Sequence, residues 1–231
     1  MKQLSPDYYF DLSSFEHRSL FTDSEYVWLA LGNIESYLQN AALGSIKGTI
    51  SPQAYLIDPE LISIGEGSIV EPGAYIKGPC VIGKRCVIRH GAYVRGQVIT
   101  GDDCVIGHDT EIKNTILLNG VHAAHFAYLG DSILGNKVNL GAGTKCANLK
   151  LDHGYISVHW NGQRIKTPFR KFGAIIGDGT QIGCNTVTNP GCLLGQGVLC
   201  YPCTNVSGFV PSRSTIKPNT TNIIREKTDG S

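Results

Sequence analysis

Residues 64–94 read IGEGSIVEPGAYIKGPCVIGKRCVIRHGAYV, and a single spacing runs through them. Steps of six from Ile64 land on Val70, Ile76, Ile82, Ile88 and Val94, then on Thr100, Ile106, Ile112 and Leu118. Two positions before most of these sits a small or β-branched residue: Ser68, Ala74, Cys80, Cys86, Ala92, Val98, Cys104, Thr110. Glycine follows several of them, as at Gly65 and Gly83, where the chain must turn without a Cβ. This is a hexapeptide repeat. Each hexapeptide is a short strand plus a corner, three make a triangular coil of about 18 residues, and coils stack by strand pairing about 4.8 Å apart. No coil buries its own aliphatic face, so stability comes from the stack.

The rhythm returns at Leu134 and Leu140 and again at Ile176, Ile182 and Leu194. The coils are therefore expected over residues 46–210, with a C-terminal tail over 211–231. Residues 1–45 differ: Ser13-x-x-Glu16 and Thr22-x-x-Glu25 have the form of capping boxes, and SEYVWLAL and NIESYLQNAAL carry apolar residues at helical spacing. A short helical preface is expected there. A second irregularity spans 149–172, where YISVHW and QRIKTPF flank Asn161-Gly162, a strong two-residue turn signal. It predicts a protruding hairpin inserted between coils.

With 20 basic and 19 acidic residues the net charge is +1, which gives no field for recruiting nucleic acid. Neither a secretory signal nor an apolar run of about 18 residues stands out, so a soluble cytoplasmic protein without membrane partners is expected. Of the eight cysteines, Cys80, Cys86, Cys104 and Cys192 fall at small inward positions and are expected to pack rather than bridge. Cys200 and Cys203 have the spacing of a redox motif but lack its strand-then-helix context.

The period also stacks charges. Arg95 and Lys113 lie 18 residues apart and should sit one above the other. Two like charges on adjacent strands repel, so either both splay into solvent or an anion such as phosphate lies between them. His90 and His108 form a second pair at the same spacing, read as solvent-exposed turn histidines. The repeat also resembles that of a zinc-binding branch of hexapeptide proteins, which implies a rival reading as zinc ligands, but His90, His108, His122 and His125 do not reproduce that branch's spacing. Then comes VHAAHFAYLGD at 121–131, where two histidines, a phenylalanine and a tyrosine interrupt the pattern. The expectation is that an inward aliphatic is surrendered there to bring His125 and Tyr128 to a pocket edge near Arg95 and Lys113.

The stretch Glu111–Asn148, with its AHFAYLGD and VNLGAGT runs, resembles the acetyltransferase domain of the bifunctional family that acetylates glucosamine 1-phosphate and forms UDP-N-acetylglucosamine. RKFGAIIGDG at 170–179 is similar to wording in archaeal sugar-1-phosphate nucleotidylyltransferase/acetyltransferases, and the similarity runs over about residues 50–210. The resemblance implies a left-handed parallel β-helix, whose hand is an exception to the usual crossover rule. It implies acetyl-CoA as co-substrate, no tightly bound metal, a homotrimer with the pocket between neighbours, and an amino-sugar 1-phosphate as acceptor.

Matched by position, His125 is the general base and Ala142 supplies the N–H that meets the thioester oxygen. Arg95, Lys113 and Lys171 are the phosphate cations. Tyr128, Asn139, Asn148 and Glu111 stand around the sugar. Cys184 matches a position contacting coenzyme A, and Arg213 and Lys217 are candidates for its nucleotide phosphates. The nucleotide-binding domain of these relatives has no counterpart in this sequence, so nucleotidyl transfer is not expected from it. Two alternatives are a non-catalytic trimeric scaffold that binds sugar phosphates, and a zinc enzyme similar to γ-type carbonic anhydrases.

Overall fold

The computed structural model describes residues 2–22 and 24–218. The pairs of small and aliphatic residues do what their spacing asks. Cys80 with Ile82, Cys86 with Ile88 and Ala92 with Val94 are each at most 1% exposed and line the inside of one circuit. Their strands form three parallel sheets, the faces of a triangular solenoid. The first face has nine strands, from Thr49–Ile50 to Thr215–Ile216. The second runs from Tyr55–Ile57 to Asn205–Val206 and the third from Ile62–Ile64 to Phe209–Val210, with eight strands each. The fold is a left-handed parallel β-helix of hexapeptide type. Thr215–Ile216 still pairs with Leu199–Cys200, so the coil passes the expected limit at 210; the tail from 219 onward lies outside the described residues.

A one-residue change at one corner decides where the polar residues go. Tyr93 stands opposite Glu111, a full 18-residue circuit, but Val98 pairs with Thr115 and Ile116 with Ile133. Between the second and third faces the chain turns on Gly96 and Gln97 in one coil, on Asn114 alone in the next, and on Asp131 alone in the one after. Both single-residue corners have positive φ, 43° at Asn114 and 50° at Asp131, a region that Asn and Asp tolerate better than other non-glycine residues.

The six-step count therefore slips. Leu117 faces inward instead of Leu118, which lies under the N-terminal segment. Nor is any inward aliphatic surrendered at 121–131, because Val121, Ala123, Ala127 and Leu129 all belong to the inner core. The interruption is on the outer surface, where His122 and His125 are exposed and Phe126 adopts φ 51° while 52% exposed.

The third face is apolar on its outside too: Ile99, Ile116, Ile133, Ile175 and Leu193 have no exposure. Such a face needs a cover, and the N-terminal segment provides one. Trp28, Phe15, Leu20, Ile34 and Leu38 bury themselves against it in a second core. The α-helix Ala30–Asn40 contributes Ala30, Leu31, Ile34 and Leu38, a single stripe. Neither capping-box pattern opens it: Leu29 stands at the N-cap without a side-chain bond, and Val27–Leu29 is a 3-10 turn. A cap is worth about 1 kcal/mol, less than seating Trp28. Trp28→Ala is expected to cost about 3–5 kcal/mol, read as a fall in denaturant midpoint; an unchanged midpoint would mean that the preface is not docked.

The hairpin forms as predicted, with Trp160 opposite Gln163 and positive φ at Asn161 (46°) and Gly162 (76°). Its strands do not protrude. Ile156 and Val158 are buried in the outer core beside Phe172, and Trp160 Nε1 donates to Gln3 Oε1 at 3.1 Å. Burial pushes the Cys80 thiol up to about 12. Cys200 is buried in the inner core while Cys203 is exposed, so the CYPC spacing does not make a facing pair.

Candidate functional site

Arg95 and Lys113 stack as the period requires, at the ends of neighbouring strands of the second face. Each of the two cations is paired with one of the protein's own carboxylates. Arg95 Nη1 donates to Glu111 Oε1 at 2.6 Å and Lys113 Nζ to Asp131 Oδ2 at 3.1 Å. The two pairs differ in kind. The side chains of Arg95 and Glu111 are 42% and 35% exposed, and such a pair contributes about 0–1 kcal/mol. Those of Lys113 and Asp131 are 17% and 7% exposed. Arg95 can therefore exchange partners at little cost, whereas Lys113 is fixed by Asp131 and keeps further donors for a ligand.

Asp131, which the sequence reading overlooked, is the hub of this corner. Asn114 Nδ2 donates to its Oδ1 at 2.8 Å, and the buried Asn148 donates Nδ2 to its Oδ2. Tyr128 lies within 3.5 Å of Asn148 Oδ1. Its phenol is raised above the usual range, first by burial and then by the charges of Glu111 and Asp131. Gly130, directly across from Lys113 in the ladder, makes room for the group: a Cβ there would lie 2.5 Å from Asn148 Nδ2 and 2.8 Å from Tyr128 Oη. Lys171 is held beside them, because Leu149 bridges Lys171 and the Phe172 N–H donates to the Asn148 carbonyl. A cavity of about 340 Å³ opens here, bounded by Arg95, Lys113 and Asp131 above and by Gly78 and Pro79 below.

The other edge of the same face holds the second group. His108 pairs with His125 in the ladder, the Gly143 N–H donates to the His125 carbonyl, and the Asn185 N–H donates to that of Ala142. His108, His125, Ala142 and Cys184 thus occupy successive levels of one corner. Among the described residues the Ala142 N–H has no hydrogen-bond acceptor. The His90 and His108 rings continue the column downward, stacked with centroids 5.7 Å apart. The Nδ1 atoms of both rings face carbonyls, Pro72 O at 2.7 Å and His90 O at 3.0 Å, so each carries its proton on Nδ1. Among the described residues no three His, Cys, Asp or Glu side chains are arranged to hold a metal.

The structure therefore groups the sequence-derived site residues in two places. Arg95, Glu111, Lys113, Tyr128 and Asn148 meet at the corner between the second and third faces, with the Lys171 backbone beside Asn148. His125, Ala142 and Cys184 meet at the corner between the first and second. Asn139 belongs to neither, since it lies on the first face opposite His122 and Gln181. Within one chain His125 is not in the Arg95–Lys113 hollow; the strand Tyr128–Gly130 crosses the face between them. Lys217 stacks its ammonium 5.2 Å from the Tyr201 ring, and Arg213 sits at a corner with φ 60°.

Residues 76–167 match the family described as the GMPPB C-terminal domain. The chain is 38% identical over 92 residues to a bifunctional sugar-1-phosphate nucleotidylyltransferase/acetyltransferase of Sulfurisphaera tokodaii, covering 40% of this chain and 23% of that protein. It is 37% identical over 86 residues to the bifunctional protein GlmU of Methanococcus vannielii, covering 37% and 20%. The matched stretch thus spans about a fifth to a quarter of the length of these curated relatives. Among solved structures, the UDP-N-acetylglucosamine acyltransferase of Francisella novicida superposes with a TM-score of 0.49 at 17% identity, covering 70% of this chain and 62% of that one. In its matched coils, this hexapeptide-repeat β-helix resembles the bifunctional sugar-1-phosphate nucleotidylyltransferase/acetyltransferases.

Proposed function

We propose that the protein is an acetyl-CoA-dependent N-acetyltransferase whose acceptor is an amino-sugar 1-phosphate, of which glucosamine 1-phosphate is the simplest. The observation that carries this reading is the second face itself. A cation stack stands at one edge, a histidine column with a backbone N–H that is unpaired among the described residues at the other, and Tyr128 lies between. The Sulfurisphaera tokodaii relative is named as a sugar-1-phosphate nucleotidylyltransferase/acetyltransferase, which supports the same chemistry.

An amine attacks a thioester only after losing its proton, and an imidazole is suited to accept that proton near neutral pH. In the proposed reaction the phosphate binds Arg95, Lys113 and Lys171, Arg95 releasing Glu111 to do so. Tyr128 and Asn148 orient the sugar across the face, and the 2-amine gives its proton to His125. The amine nitrogen bonds to the acetyl carbon, negative charge collects on the thioester oxygen, and the Ala142 N–H stabilises it. Collapse expels the coenzyme A thiolate, which takes up a proton. Cys184, one level beyond Ala142, flanks the path of the pantetheine arm. A homotrimer would lay a neighbouring chain along this face and close the site.

The experiment is thiol release from acetyl-CoA with a panel of amino-sugar phosphates. Saturable release with at least one, absent for the unphosphorylated sugar, is the expected outcome. Release equal to the no-enzyme background with all of them would favour the scaffold reading, and stoichiometric histidine-bound zinc in the purified protein would favour the hydration enzyme.

A further inference from the structure

The cation stack is longer than the proposed acceptor needs. Tyr75 pairs with Tyr93 and Ile76 with Val94, so the next residues, Lys77 and Arg95, also stand one above the other. Lys77, Arg95 and Lys113 form a column of three cations on successive coils, and Lys77 is exposed without a carboxylate partner among the described residues.

Beside that column, two residues earlier on the same strands, runs a column of tyrosines. Tyr55 pairs with Tyr75 and Tyr75 with Tyr93, and the three are 60%, 36% and 43% exposed. Their rings stand 6.4 Å and 5.3 Å apart, and the Arg95 guanidinium lies 5.8 Å from the Tyr93 centroid. Each of two coils thus presents one aromatic ring and one cation side by side on the same surface.

The cavity follows the same direction. Its walls descend from Asp131 and Asn114 through Gly96 to Gly78, four coil levels, or about 14 Å at a strand spacing of about 4.8 Å. A hexosamine 1-phosphate held at Lys113 and Asn148 places no atom at the lowest level. A ligand that continues past its first phosphate does. Cations suit a second phosphate, and exposed tyrosine rings suit a flat heterocycle that stacks irrespective of its identity.

We infer that the preferred acceptor is a nucleoside-diphosphate amino sugar, whose sugar-phosphate end occupies the site already described. Its outer phosphate is bound at Lys77 and its base packs on Tyr75 and Tyr93. This rests on the acetyl-transfer reading for the sugar end, but the nucleotide subsite is measurable without any turnover.

Titration calorimetry with UDP, dTDP, GDP and ADP tests the subsite directly. At least one is expected to bind, and Lys77→Ala is expected to weaken it about tenfold to a hundredfold, the loss of one charge-assisted contact. Tyr75→Ala should weaken the nucleoside diphosphate but not inorganic pyrophosphate. In the thiol-release assay, the nucleotide-linked amino sugar should show the higher kcat/KM, with Lys77→Ala lowering that value and leaving the 1-phosphate unaffected.

No binding of any of the four, or binding unchanged in Lys77→Ala and Tyr75→Ala, overturns the inference. So does a Tyr75→Ala variant that shifts mass in light scattering while keeping nucleotide affinity, since the stripe would then be a contact between copies. Nucleotide binding without thiol release from any acceptor sinks the acetyl-transfer reading alone.

Discussion

His125→Ala is expected to lower acetyl transfer about 10²- to 10⁴-fold, the range for losing a positioned general base, while the denaturation midpoint stays close to that of the wild type. The stability expectation follows from exposure: His125 lies on the outer surface, its carbonyl bond to the Gly143 N–H survives the substitution, and surface changes of this sort stay within about 0.5 kcal/mol. The rate expectation follows from the corner it shares with Ala142. His122, exposed on the same strand but turned onto the first face opposite Asn139, is the matched control, and His122→Ala should retain most of the activity. Steady-state thiol release on the two variants checks both. Comparable losses in the two would remove any special role for the corner.

Asp131→Ala should have the second-largest effect, and on stability as well as binding. Its carboxylate is the shared acceptor for Lys113, Asn114 and Asn148. Removing one side of a buried charge pair leaves the other charge uncompensated, at a cost of about 3–5 kcal/mol, and here two amides lose their acceptor besides. Asp131→Asn keeps the shape and one acceptor oxygen, so it should be milder in denaturant melts. It should still raise KM for the phosphorylated acceptor, because Lys113 and Asn148 lose the anchor that holds them. If both variants melt like the wild type, the corner is not organised by Asp131.

The solenoid was legible in the sequence because its period is a packing requirement repeated at every coil. Ile64, Val70, Ile76 and their successors must all point to one axis, and any polar intruder would show. The one-residue corners at Asn114 and Asp131 were not legible from the period. A shorter turn leaves the inward residues in place and merely shifts their numbering, as from Leu118 to Leu117. An Asn and an Asp at those two corners, both able to adopt positive φ, were the available signal.

The docked preface left a trace as well. Doublets such as Ile99-Thr100, Ile116-Leu117 and Ile133-Leu134 put an apolar residue on the outside of every third strand, which predicts a covered face once the strands are assigned to faces. For the site, spacing found the Arg95–Lys113 stack. It could not find Asp131, whose partners Lys113 and Asn148 reach it from different coils, nor reveal that His125 and the cations stand on opposite edges of one face.

The most direct measurement is a crystal structure with coenzyme A and an amino-sugar phosphate bound together. The first phosphate is expected against Arg95 and Lys113, the sugar over Tyr128, and the 2-nitrogen within about 3.2 Å of a His125 ring nitrogen, that histidine coming from the same chain or a neighbouring one. A sugar phosphate ordered elsewhere on the solenoid, or seated at Arg95 and Lys113 with no imidazole of any subunit near its amine, would contradict it.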